Sequence, residues 1–100
     1  MKIYIAGKIT GDRKYRAKFQ EAAKNLEALG HVVLNPAILP AGLAEQDYMQ
    51  ITLAMLNAAD LAVFLPDYQE SAGATIEWAW CKRTGKDCAM YMEIKGSEKR

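Results

Sequence analysis

IYIAGKITGDRKYRAKFQEAAKNLEALGHVVL, residues 3–34, decides the fold. Its opening run, Ile3 to Ala6, is short, β-prone and stopped by Gly7. Val32 to Leu34 form a second such run between Gly30 and Pro36. Between the two, Phe19, Ala22, Ala23, Leu26 and Leu29 recur at helical spacing on one face, and Gly30 supplies a C-terminal stop. Both strand runs are apolar throughout rather than alternating, as expected of strands covered on two faces. Strand, amphipathic helix and strand together make a parallel crossover unit.

The pattern continues outward from that unit. Leu61 to Leu65 form a third apolar run ending at Pro66, and Cys88 to Met92 a fourth ending at a charged tail. After a loop from Pro36 to Gly42, Met49, Leu53 and Leu56 repeat at i, i+4, i+7 within Glu45 to Ala59 and predict a second helix. A third runs from about Gly73 to Arg83. The order βαβαβαβ specifies a single-domain α/β chain, a doubly wound parallel sheet of four strands with helices on both faces. Right-handed crossovers give the strand order 2-1-3-4, a flavodoxin- or Rossmann-like arrangement with one reversal. The domain is expected over residues 1–94, with residues 95–100 as a charged, frayed tail. At the reversal a crevice opens between the C-terminal ends of strands one and three, flanked by Gly7 to Lys14 and Pro66 to Gly73.

Composition limits what that crevice serves. One hundred residues hold a single modest core. Thirteen basic against twelve acidic side chains leave a net charge of +1, which argues against a partner that is a nucleic acid polymer. Cys81 and Cys88 match no zinc or redox pattern, so a reducing cytoplasm is the simplest compartment. The apolar stretch at the start is too short for a secretory signal, and no run approaches the ~20 apolar residues of a membrane helix. No metal or other cofactor is expected, because neither a His/Cys/carboxylate cluster nor a dinucleotide fingerprint is present. His31 reads as an ordinary residue at a strand entrance, and Met49, Met55, Met90 and Met92 as core packing. Trp78 and Trp80 bracket Ala79 and cannot both face one sheet, so one is expected to reach a partner subunit.

The first crevice loop reads Gly7, Lys8, Ile9, Thr10, Gly11, with glycines that let backbone N–H groups turn toward a ligand. It lacks the P-loop and GxGxxG patterns. Lys8, Arg13, Lys14, Arg16 and Lys18 surround the start of the first helix against a single Asp12. Cations there oppose the helix dipole at roughly 0.3 kcal/mol each, so they are either a solvated charged face or one side of an anion site. In the second loop Ser71 can cap the third helix or donate to a phosphate or sugar oxygen, and Gly73 allows close approach. Glu77, one turn further in, is either a dipole-complementing surface carboxylate or a functional one.

The string Ser71-x-Gly73-Ala74-x-x-Glu77, after Leu65-Pro66 and with Ile3-Tyr4-Ile5-Ala6-Gly7 at the start, resembles the nucleoside 2-deoxyribosyltransferase superfamily over nearly the full chain. That superfamily includes deoxynucleoside 5′-monophosphate N-glycosidases and small uncharacterised bacterial and phage relatives. The resemblance implies that Glu77 attacks the anomeric carbon of a deoxyribose to form a glycosyl-enzyme, with the Tyr4 hydroxyl bonded to it. Negative charge on one face of the sugar suits an oxocarbenium-like transition state. Transferases acting on free nucleosides carry aspartate six residues before the glutamate, and monophosphate hydrolases a phosphate-binding serine. Ser71, with Gly7, Lys8, Ile9, Thr10 and Gly11, thus implies a 5′-phosphorylated ligand.

One position departs from the pattern. Both characterised branches place an aspartate eight residues before the acid that opens strand three, here Asp60, to help protonate or position the leaving base; this chain has Thr52. A hydroxyl is a poor general acid, and Asp47 lies about 140° around the helix from it. Tyr68, where the small relatives often carry Trp, either stacks on a base or covers core. The resemblance also implies a homodimer or larger homo-oligomer. The leading expectation is cleavage or transfer at an N-glycosidic bond of a small nucleoside or nucleotide. The rivals are a non-catalytic nucleotide-binding module, which Thr52 favours, and an interaction protein working through the Trp-bearing helix.

Overall fold

A computed structural model describes residues 1–98, with side chains described for residues 1–94. Four parallel strands, β1 (Lys2–Ala6), β2 (Val32–Leu34), β3 (Leu61–Phe64) and β4 (Cys88–Met90), pair in the order β2-β1-β3-β4. Helices α1 (Tyr15–Ala28), α2 (Glu45–Ala58) and α3 (Ala72–Thr84) make the crossovers, and α4 (Tyr91–Glu98) follows the last strand. The doubly wound sheet expected from the apolar runs is the one observed.

Continuous apolar strands are required because each strand feeds two cores. Ile3, Ile5, Val63 and Leu65 point to one face, where Phe19, Ala22, Ala23 and Leu26 of α1 and Tyr91 of α4 cover them. Tyr4, Ala6, Ala62 and Phe64 point to the other, against Leu56, Ala74 and Cys81 of α2 and α3. Tyr4 therefore lies on the face shared with α3, and its register opposite Ala62 sets the tyrosine beside that helix. Gly7, just past β1, is closely packed: a Cβ there would meet Leu65 Cδ1 at 2.8 Å.

Four details differ from the sequence expectation. The fourth strand ends at Met90 rather than Met92, because Tyr91 and Ile94 are one helical turn apart and both pack on the α1-side core. The backbone expected to fray is helical through Glu98, and the rest of that tail, residues 99 and 100, lies outside the described residues. Leu29, the cap residue beyond α1, is 46% exposed, since the chain has by then turned off the core-facing stripe. Met92, in the first turn of α4, is 54% exposed instead of packed in the core. Met55 and Met90 do pack against the α2/α3 core.

Candidate active site

The strand reversal brings the end of β1, the start of α3 and the inner face of α2 around one cavity of about 370 Å³. At its floor the Tyr4 hydroxyl donates to Glu77 Oε2 at 2.6 Å. Tyr4 is on the strand, Glu77 is one turn beyond Gly73 on α3, and both are buried, the glutamate at 4% exposure. Burial pushes the Glu77 carboxyl above its ordinary value, while the Tyr4 and Thr52 hydroxyls pull it back toward the ionised form. The Tyr4 phenol is held well above its ordinary value, by burial first and by the adjoining carboxylate second. It therefore remains a proton donor to Glu77 across the ordinary pH range.

Thr52 completes this group. It is buried on α2, lines the cavity, and influences both Glu77 and Tyr4 through its hydroxyl, whose nearest backbone acceptor is the Met49 carbonyl at 3.5 Å. Asp47 contributes to α2 differently: its carboxylate accepts the Ala44 N–H at 3.2 Å and caps the helix start. It does not line the cavity.

Of the first crevice loop, Gly7, Ile9 and Thr10 line the cavity, and Lys8 and Gly11 do not. Gly11 takes a positive φ of 84°, which turns the loop back toward α1. Ser71 and Gly73 line the opposite wall. Ser71 caps α3 by accepting the Ala74 N–H at 3.1 Å, which leaves its hydroxyl proton available to the cavity. A Cβ on Gly73 would come 3.3 Å from Met49 Sδ, so the small residue lets α3 approach α2. Tyr68 lies outside the lining, its ring against Phe64 at 5.3 Å and Trp78 at 5.1 Å between centroids. Trp78 thus covers core, while Trp80 is 39% exposed and donates its indole N–H to Asn57 Oδ1 at 3.0 Å.

Three of the five cations near the loop, Lys8, Arg16 and Lys18, have partners within the protein. Lys18 donates to the Lys8 carbonyl at 2.8 Å, to Asp12 at 2.6 Å and to Asp67. Lys8 reaches Glu70 at 3.3 Å, and Arg16 donates to the Ala37 and Leu39 carbonyls. Arg13 and Lys14 are exposed and do not line the cavity. Asp67 also accepts the Lys8 N–H at 3.0 Å, so the two crevice loops are tied together across their backs.

Most of the remaining wall was not singled out by the sequence, and Met49, expected in the core, is half-buried and lines the cavity instead. Leu39, Ala41 and Leu43 form it with Tyr15, Tyr48, Met49 and Glu45. Tyr48 holds that loop in place by donating to the Pro40 carbonyl at 2.6 Å and accepting the Leu43 N–H at 3.2 Å. The available signal was helical: Glu45, Met49 and Thr52 repeat at i, i+4, i+7 and share one face of α2. Among the described residues no three His, Cys, Asp or Glu side chains come together to hold a metal ion.

Residues 1–90 match the family model described as a domain of unknown function, DUF4406. The chain belongs to that family. No curated protein matches it. A solved structure of a 2-deoxyribosyltransferase from the psychrotolerant bacterium Bacillus psychrosaccharolyticus, described as a biocatalyst for nucleoside synthesis, is similar to this DUF4406 chain with a TM-score of 0.65. The two are 20% identical over 90% of this chain and 71% of that one. The DUF4406 domain thus shares the 2-deoxyribosyltransferase-like α/β fold.

Proposed function

We propose that the protein cleaves or transfers at the N-glycosidic bond of a deoxynucleoside, preferentially its 5′-monophosphate, with Glu77 as nucleophile and Tyr4 orienting it. The observation that carries this reading is the buried 2.6 Å bond between them at the floor of a nucleoside-sized cavity. A Glu77 oxygen attacks C1′ as the C1′–N bond breaks, and the electron pair leaves with the base, which takes up a proton. Water, or a second base, then attacks C1′ and frees the carboxylate. Because none of the nearby cations lines the cavity, the phosphate would be held by the hydroxyls of Thr10 and Ser71 and by N–H groups of the Gly7 to Gly11 loop. Lys8 would act on the phosphate from outside the cavity and Tyr68 on an edge of the base. Action in the cytoplasm as a homo-oligomer fits the same reading, with the exposed side of α3 at Ile76 and Trp80 as the joining face.

Thr52 favours the second reading, a nucleotide-binding module without turnover. Incubation with deoxynucleosides and their 5′-monophosphates, followed by chromatography of free base, separates the two. Base release that is lost by at least about a thousandfold in Glu77→Gln supports the enzyme. Binding without release supports the module.

A further inference from the structure

Only two carboxylates line the cavity among the described residues, Glu77 at the floor and Glu45 at the rim, and no lysine, arginine or histidine does. Neighbouring acids are engaged: Asp47 with the Ala44 N–H, Asp12 and Asp67 with Lys18, Glu70 with Lys8. The Glu45 carboxylate has no hydrogen-bond or ion-pair partner among the described residues. Glu45, exposed at the first position of α2, complements the helix dipole, while Asp47 takes the Ala44 N–H, so the Glu45 carboxylate oxygens are left to meet a ligand.

Its position relative to the floor is fixed by α2. Glu45 lies seven residues before Thr52 on the same helix face, about 10 Å along the axis, with Met49 between them. With the anomeric carbon at Glu77 and the 5′ side at Ser71 and Thr10, as in the proposed function, the wall left for the base includes Leu43, Met49 and, at the rim, Glu45. An ionised carboxylate only accepts hydrogen bonds, so the group it meets must donate.

Resting on the nucleoside reading above, we propose that Glu45 is the specificity-determining residue of the site, reading an amino group on the base, so that the ligand carries an amino-bearing rather than an all-keto base. A keto oxygen facing the carboxylate would be left without a donor and repelled by it. Glu45 then governs which base is accepted and leaves the attack at C1′ to Glu77.

Calorimetric titration of the full chain with the 5′-monophosphates of deoxyadenosine and of deoxyguanosine, each against deoxyinosine, and of deoxycytidine against deoxyuridine, compares bases with and without each exocyclic amino group. The amino-bearing member of at least one pair should bind about tenfold more tightly, as for one hydrogen bond to a charged acceptor at a partly wet rim. In Glu45→Ala the ratio should collapse to about one, and in Glu45→Gln, which keeps one acceptor, it should fall part of the way, with thermal unfolding midpoints lowered by no more than a few degrees through the lost dipole contribution. Equal binding within all three pairs, or a preference that survives in Glu45→Ala, overturns the proposal. If base release by the intact chain persists in that case, the proposed activity stands without it. Failure of all five nucleotides to bind overturns both.

Discussion

At Glu77 two effects of opposite sign meet on one carboxyl group. Desolvation raises its pKa and is the larger; the hydroxyls of Tyr4 and Thr52 lower it. The nucleophile proposed for this site must be ionised, so its activity is expected to fall as pH drops through this raised value, with the acid limb of kcat/KM above the ordinary glutamate value of 4.5. Tyr4→Phe removes a donor that favours the ionised form. The limb should therefore move by about one unit to higher pH, and plateau activity should fall roughly tenfold, as read from base release across pH 4–9. An unmoved limb would assign the titration to another group. Glu77 and Tyr4 were legible because a helix-start string and a strand residue carry the resemblance. The buried face of Thr52 was less so: the apolar stripe Met49, Leu53, Leu56 is what periodicity detects, and a threonine does not register in it.

Among the elements, the two crevice loops act as one unit through Lys18, which joins the β1–α1 loop to the segment after β3 by two carboxylates and a carbonyl. Sequence alone shows the cations of the first loop clearly, yet two of the carboxylates that occupy them, Asp67 and Glu70, come from far along the chain and become neighbours only through the pairing of β1 with β3. The wall from Leu39 to Leu43 was hidden for the same reason: a loop becomes a cavity wall only once α1 and α2 hold it. The end of β4 escaped because a short apolar run such as Cys88 to Met92 has no length with which to choose between strand and helix. Lys18→Met leaves Asp12 and Asp67 without their shared cation. It should lower stability by about 1–3 kcal/mol in urea denaturation and raise KM for the nucleotide more than it lowers kcat, because it shapes the loop from behind. A selective loss of kcat would make Lys18 part of the chemistry instead.

For the whole molecule, the cavity is a cost carried by the fold. The four strands are apolar on both faces so that two cores form, and into the α2/α3 side the chain buries one glutamate. The linkage sign follows from its raised pKa. The folded state holds the Glu77 proton more tightly than the unfolded chain, so this contribution is fully present below the ordinary value of 4.5 and is lost as pH rises through the folded-state value. Asp12 and Asp60 act oppositely, through hydrogen bonds with Lys18 and with the Lys2 N–H; their contribution is present above the ordinary value of 3.8 and is lost as pH falls through their lowered values. Asp60 is exposed and Asp12 half-buried at the surface, so solvent screens both and the buried glutamate dominates. Thermal unfolding between pH 4 and 8 should show the midpoint of the intact protein declining toward neutrality, while Glu77→Gln holds a nearly flat midpoint and exceeds it at pH 8. Each unit by which the carboxyl is raised corresponds to about 1.4 kcal/mol, or roughly 6–11 °C in a domain of this size, so the crossing is measurable by calorimetry. Parallel curves for the two proteins would mean that the buried carboxyl gains enough from Tyr4 and Thr52 to offset its desolvation. In that case the site would be pre-organised for the carboxylate at no expense to the fold.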